Sequence, residues 1–320
     1  MRIEIWADVV CGWAYIGKRR VERALEGLDA EVVWRPFRID PMAPAQAVPH
    51  EEAMADPTVD AALRRCAPDL TPGENRVRVA LVAAEEGFGW TWGPAWRADS
   101  HDAHRLIALA LEHGGPGLQD AVAERVMKAH FLDRLDISDR ATLHRLAADA
   151  GFAGGGALLD AGAGDELVRE LLLKGKAMGV RTSPTIVAGS EALAGAQSAE
   201  VIREFVLAAR PARRLPEEVE RYRHAESLLD QRDPLGALAL LRPLLDAHGD
   251  DRNVLMLAGR CYYLSAQLGR ARAVLERLVA ATPDDAYARH LLGRTLQRQG
   301  HAEEAGPHLR MAAVMAPEYA

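Results

Sequence analysis

Cys11 stands in "DVVCGWAYIGK", where a short apolar segment gives way to residues at helical spacing. A thiol at that junction lies at a helix N-terminus, where unpaired N–H groups and the helix dipole favour a thiolate. The position therefore predicts a lowered Cys11 pKa. A dithiol enzyme would carry its second sulfur three positions later, and that position is Ala14. In a dithiol cycle the first thiolate attacks a disulfide and the second releases the resulting mixed disulfide. With CGWA, Cys11 reacts without a neighbour. It is left to work with an external small thiol, to hold a partner as a mixed disulfide, or to serve a non-redox isomerisation. Cys66 and Cys261 lie far from it in the chain and read as small buried hydrophobes. Lys18, Arg19 and Arg20 sit further along the same helix, too distant to act on the sulfur.

The elements that must position Cys11 follow from periodicity. "RIEIWADVV" reads as a buried strand, "AYIGKRRVERALEGL" as a helix and "AEVVWRPFRI" as a second strand broken by Pro36. Together they make a βαβ unit. Residues 40–73 are rich in proline and read as a loop with at most one short helix. Residues 74–180 are mostly helical. "SPTIVAGS" and "ALAGA" read as a β-hairpin, followed by the helix "SAEVIREFVLAAR". The order β-α-β, helical insertion, β-β-α is that of a thioredoxin fold.

After the Pro- and charge-rich stretch "PARRLPEE", the chain repeats itself. Ala237, Ala271 and Ala305 recur at a 34-residue step, as do Leu241, Leu275 and Leu309. Gly259 with Gly293, and Pro283 with Pro317, share that step. This is the pattern of tetratricopeptide repeats, with three of them at about 218–251, 252–285 and 286–319. The expected organisation is a thioredoxin-like α/β domain over 1–210 with an inserted helical domain over about 74–180. A linker over 211–217 and an all-α tetratricopeptide-repeat solenoid over 218–320 complete it.

Composition sets outer limits. A chain of 320 residues, 49% hydrophobic and 27% charged, buries a sizeable core. A formal net charge of −7 with no basic block argues against nucleic-acid binding. No apolar run reaches the roughly 20 residues of a membrane span, and no secretory leader pattern precedes the first strand. Three scattered cysteines make neither a disulfide framework nor a metal site. No bound metal or cofactor is expected, and a reducing cytoplasm is the expected location.

Longer motifs carry a resemblance. "DVVCGWAYIGK", "VVWRPFRIDP", "SHDAHRLIALA", "FLDRLDISDRATLHRLAADAGF" and "GVRTSPTIVAGSEALAGAQSAEVI" occur in this order. They resemble the corresponding segments of the DsbA-like thioredoxin family, in particular its FrnE-type branch. That branch has CPWC where this chain has CGWA, so Gly12 replaces a proline and Ala14 a cysteine. Ser183 replaces a Val or Ile, and Asp40 an Asn. The resemblance implies that Pro184 is a cis-proline facing Cys11. It implies that Ser183 then lies near the sulfur, either donating to a thiolate or merely capping the turn. It puts His104 near the cleft, for a structural hydrogen bond or for proton transfer. Gln197 and Ser198 fall where glutathione-using relatives hold the γ-glutamyl group, although Ser198 also reads as an ordinary N-cap.

Trp13 reads as an apolar lip beside the thiol or as buried packing. Trp90, Trp92 and Trp96 line an aromatic pocket or plug two subdomains. In the repeats Tyr262, Tyr263 and Tyr287 are expected between helices, and the apolar Met311, Val314 and Met315 at the last helix suggest a homodimer or docking. The leading functional expectation is a monothiol relative of thiol-disulfide oxidoreductases, using glutathione or another small thiol as co-substrate, with a protein or peptide client on its repeats. The alternatives are a non-catalytic client scaffold and a glutathione-dependent isomerase or transferase acting on small aromatic molecules.

Overall fold

Alternation in "RIEIWA" turns Ile3, Ile5 and Ala7 of strand β1 (Arg2–Ala7) into one buried cluster and Trp6 into another, so both faces of the strand are covered. Residues 1–55, 67–89, 91–211, 213 and 215–319 are described by the computed structural model. They divide into two units, residues 1–175 with 180–213 and residues 176–179 with 214–320.

In the first unit β1 is central. β2 (Glu31–Pro36) pairs with it in parallel, with Ile5 opposite Trp34. β5 (Thr185–Ala188) pairs antiparallel on its other side, and β6 (Glu191–Ala194) closes the order β2-β1-β5-β6. Helix α1 (Gly12–Ala24) makes the crossover from β1 to β2. A short ribbon that the sequence did not disclose pairs β3 (Val48–Pro49) with β4 (Trp96–Arg97), and α2 (His50–Ala53) follows β3. Two-residue strands are too short to show alternation.

The inserted helices are α3 (Pro72–Glu85), α4 (His101–Phe131), α5 (Arg140–Asp149), α6 (Gly155–Asp160) and α7 (Asp165–Ala177), and α8 (Ala199–Ala208) follows the hairpin. Within the region expected to be mostly helical, α4 is broken at Gly115, whose φ of 72° lies in the left-handed region. The second half of α4 blunts the β2 edge. Gln119 accepts the Trp34 N–H and donates to the Trp34 carbonyl, both at 2.9 Å, which satisfies backbone groups that would otherwise invite another strand.

The same half-helix anchors α1 through Lys18. Lys18 is 3% exposed and meets Glu22, Asp120 (3.0 Å) and Glu124 (3.4 Å). Tyr15 Oη also donates to Glu124 at 2.8 Å. A buried ammonium persists only with such partners.

In the second unit, α9 (Glu217–Asp230), α10 (Pro234–Ala247), α11 (Arg252–Leu264), α12 (Leu268–Ala281), α13 (Ala286–Arg298) and α14 (Ala302–Met315) form three helical pairs. The repeating glycines sit where paired helices approach. A Cβ on Gly259 would meet Leu275 at 2.7 Å, and one on Gly293 would meet Leu309 at 2.6 Å. The Gly and Leu periodicities are thus two sides of one contact. Tyr287 departs from expectation, being exposed and lying against Tyr319.

Candidate active site

Cys11 is the N-cap of α1, with extended backbone (φ −91°, ψ 115°), and its carbonyl accepts the Ala14 N–H at 2.9 Å. Its thiol donates to the Ser183 carbonyl oxygen at 3.3 Å, and the Ser183–Pro184 peptide is cis. The loop before β5 therefore meets the start of α1 at the sulfur. Gly17, further along α1, lets the two elements close up: a Cβ there would lie 3.1 Å from the Pro184 ring.

Ser183 takes part through both side chain and backbone. Its Oγ accepts the Asp8 N–H at 2.9 Å. With that lone pair occupied, the hydroxyl proton is free to turn toward the sulfur.

Asp8, which the sequence reading passed over, is fully buried. Its carboxylate accepts from the Ile39 N–H at 2.7 Å and from His104 Nε2 at 3.2 Å. Burial opposes its charge, but the His104 bond and charge, with the Ile39 bond, outweigh it and hold the Asp8 pKa below the usual carboxylate range. His104 thus reaches the site through Asp8. An Asp three residues before the Cys is visible in the sequence; its partner 96 positions away is not.

The expected lowering of the Cys11 pKa is corrected here. The side chain is 8% exposed, and burial, with the nearby Asp8 charge adding to it, pushes the thiol up to about 11. The Ser183 side chain and the Ala14 and Trp13 N–H groups favour the thiolate but do not prevail. The helix N-terminus is present, but the packing around it decides the sign.

The residue after Cys11 is packed by α3 and the aromatic loop that follows it. A Cβ on Gly12 would meet Val79 at 3.3 Å, Trp92 at 3.6 Å and Phe131 at 3.8 Å, a close approach at the position where CPWC has its proline. Trp92 stacks on Phe131 with centroids 4.7 Å apart and joins Phe88 and Tyr15, so this part of the cluster is a plug rather than a pocket. Trp90 and Cys66 lie outside the described residues. Trp13 is half-buried beneath the Arg78 guanidinium, 5.3 Å from its ring centroid. Ala14 is fully buried.

Gln197 and Ser198 are committed locally: Gln197 Nε2 donates to the Ala194 carbonyl at 2.9 Å, and Ser198 Oγ caps α8 by accepting the Val201 N–H. Cys261 is buried in α11, and burial pushes its thiol up to about 12, as fits a packing residue. Among the described residues no group of three His, Cys, Asp or Glu side chains is placed to hold a metal ion.

The family model for the DSBA-like thioredoxin domain matches residues 2–206. The chain belongs to this family. A tetratricopeptide-repeat model matches residues 228–295 of the same DSBA-like chain. Among solved structures, a probable DsbA oxidoreductase from Streptomyces coelicolor is 26% identical, with a TM-score of 0.54 over 68% of this chain and 94% of that one. Looser likenesses include a 2-hydroxychromene-2-carboxylate isomerase (13% identity, TM-score 0.48, 61% and 89% covered). Another is the cytosolic disulfide reductase DsbM from Pseudomonas aeruginosa, solved with GSH (19%, 0.43, 65% and 98%). A curated relative, the uncharacterized protein YwbO of Bacillus subtilis (strain 168), is 37% identical over 49 residues. That match spans 15% of this chain and 24% of the relative, about a quarter of its length. Among the described residues of this DSBA-like protein, no helix is long and apolar enough to cross a membrane.

Proposed function

We propose that this DSBA-like protein, a member of the FrnE-type branch, performs single-thiol disulfide exchange at Cys11 while its repeats hold a protein or peptide client. The observation that carries the reading is the Cys11 sulfur 3.3 Å from the Ser183 carbonyl at a cis-proline loop, with alanine at position 14. Cys11 gives up its proton, its sulfur attacks one sulfur of a disulfide, the old S–S bond breaks, and the departing thiolate takes up a proton. Cys11 is then a mixed disulfide. No thiol stands at position 14 to release it, so an external low-molecular-weight thiol of the glutathione class completes the cycle.

Ser183 is the group that steadies the developing thiolate, and the Asp8–His104 pair positions Ser183 through the Asp8 N–H. Trp13 and Gly12 shape the approach to the sulfur. A reducing cytoplasmic setting fits the free thiols of Cys11 and Cys261.

Intact-mass measurement after incubation with a small disulfide tests this. The wild-type protein is expected to accumulate one adduct on Cys11 that persists until a thiol is added, whereas Cys11→Ser takes up none there. Ala14→Cys is expected to shed the adduct and lose two hydrogens as an internal disulfide closes. A native protein that gains no adduct at Cys11 over hours overturns the proposal.

A further inference from the structure

Helix α3 covers the CGWA turn, and its cations are unusually free. Val79 is the residue set against Gly12. Arg76 lies one turn before Val79 on the same side of the helix, and Arg78 lies over the Trp13 ring, 5.3 Å from its centroid. Both arginines are exposed, as is Arg134 beyond α4. Burial, and then the charges of Arg76 and Arg134, push the His50 pKa down. Among the described residues none of these three has an ion-pair or hydrogen-bond partner. Neighbouring cations are committed: Arg20 and Arg23 to Glu86, Arg38 to Asp99, Arg97 to Asp40. The acidic groups nearby are Glu74, whose carboxylate closes the N-terminal cap of α3 with Thr71, and Glu51 beside His50.

We infer that Arg76 and Arg78 form a subsite for the carboxylates of a small anionic disulfide that reacts at Cys11. An arginine stacked on an indole keeps its N–H edge free for a carboxylate, and guanidinium matches carboxylate in two-point geometry. The limited exposure of Cys11, beside a Gly12 closely approached by Val79 and Trp92, selects a small, flexible disulfide over one held in a folded surface. The inference rests on the exchange reading of Cys11 and names its co-substrate class. The step is the one already written, with one arm of the disulfide retained on Cys11 and the other released as a carboxylate-bearing thiolate.

The test compares oxidised glutathione, which is anionic, with neutral 2-hydroxyethyl disulfide, reading the rate of Cys11 adduct formation by intact mass. The ratio of the two rates is expected to fall about three- to tenfold in Arg76→Ala/Arg78→Ala, as for the loss of two exposed charge pairs. Arg76→Lys/Arg78→Lys is expected to keep most of the ratio. In the wild-type protein the ratio should also fall as salt rises from about 20 to about 500 mM, a test that needs no variant to fold. A ratio indifferent to both the double substitution and salt overturns the subsite and leaves the exchange reading intact. If neither disulfide adds to Cys11, the exchange reading falls and takes the subsite with it.

Discussion

At the scale of single residues, the chemistry turns on one competition at Cys11. The N–H groups of α1 and the Ser183 hydroxyl draw the thiol toward ionisation; burial draws it the other way and prevails, leaving a pKa of about 11. At neutral pH only about one molecule in ten thousand then carries the thiolate, which by itself makes the sulfur slow. The alkylation rate of Cys11, followed against pH with a small neutral reagent, is expected to climb about tenfold per pH unit through the range 7–10. Its midpoint should lie near 11. Ser183→Ala removes a donor that favours the thiolate, so its curve should shift to higher pH. A wild-type midpoint at or below about 8.5, the free-thiol value, would refute this account. The cysteine and its missing partner were legible in the sequence. The direction of the pKa shift was not, because the residues packed against the CGWA turn lie more than 60 positions away and fold back only in three dimensions.

At the scale of elements, both units depend on close approaches that a side chain would block. Gly17 against Pro184 brings α1 onto the cis-proline loop, and Gly293 against Leu309 brings α13 onto α14. The second contact gives a clean prediction. Gly293→Val places branched carbons where a Cβ already lies 2.6 Å from Leu309, and it should destabilise the repeats by about 1–3 kcal/mol. Thermal unfolding read by circular dichroism should show the loss, and Gly293→Val/Leu309→Ala should recover part of it. A midpoint unmoved by Gly293→Val would mean that the helices are not packed this way. The 34-residue period announced this element directly, since each repeat solves the same packing problem with the same residues. The β3–β4 ribbon and the Gln119 cover on β2 had no comparable signal, for each rests on one or two residues far apart in the chain.

At the scale of the whole molecule, buried ionisable groups tie stability to pH. His130 is 2% exposed with no partner for Nδ1 among the described residues, and burial pushes its pKa down to about 4. Its folded value lies below the unfolded value of about 6.5, so the unfolded chain binds the proton first. Stability is therefore full above about 6.5 and is lost as pH falls toward 4, by up to about 3 kcal/mol. Asp8 acts in the same sense at lower pH: its depressed folded pKa makes its contribution full above the unfolded value of about 3.9 and lost as pH falls through the folded one. All six tryptophans lie between Trp6 and Trp96, in the first unit, so fluorescence-detected denaturation reports that unit alone. The denaturation midpoint should fall steeply between pH 6.5 and 4.5, and His130→Leu should flatten that slope. An equally steep slope in the variant would assign the pH dependence elsewhere.

The amino-acid order alone determined what is local or periodic: a single cysteine at a strand-to-helix junction, no thiol three residues on, the βαβ start, and a 34-residue repeat. Each is written in neighbouring residues or in a regular step, so no knowledge of distant packing was needed. Tertiary structure decided what depends on residues remote in sequence meeting in space. It joined Asp8 to His104, set Ser183 against the thiol, and closed α3 over Gly12. Desolvation arises from everything that surrounds an atom, and so the charge state of Cys11 had to wait for the fold.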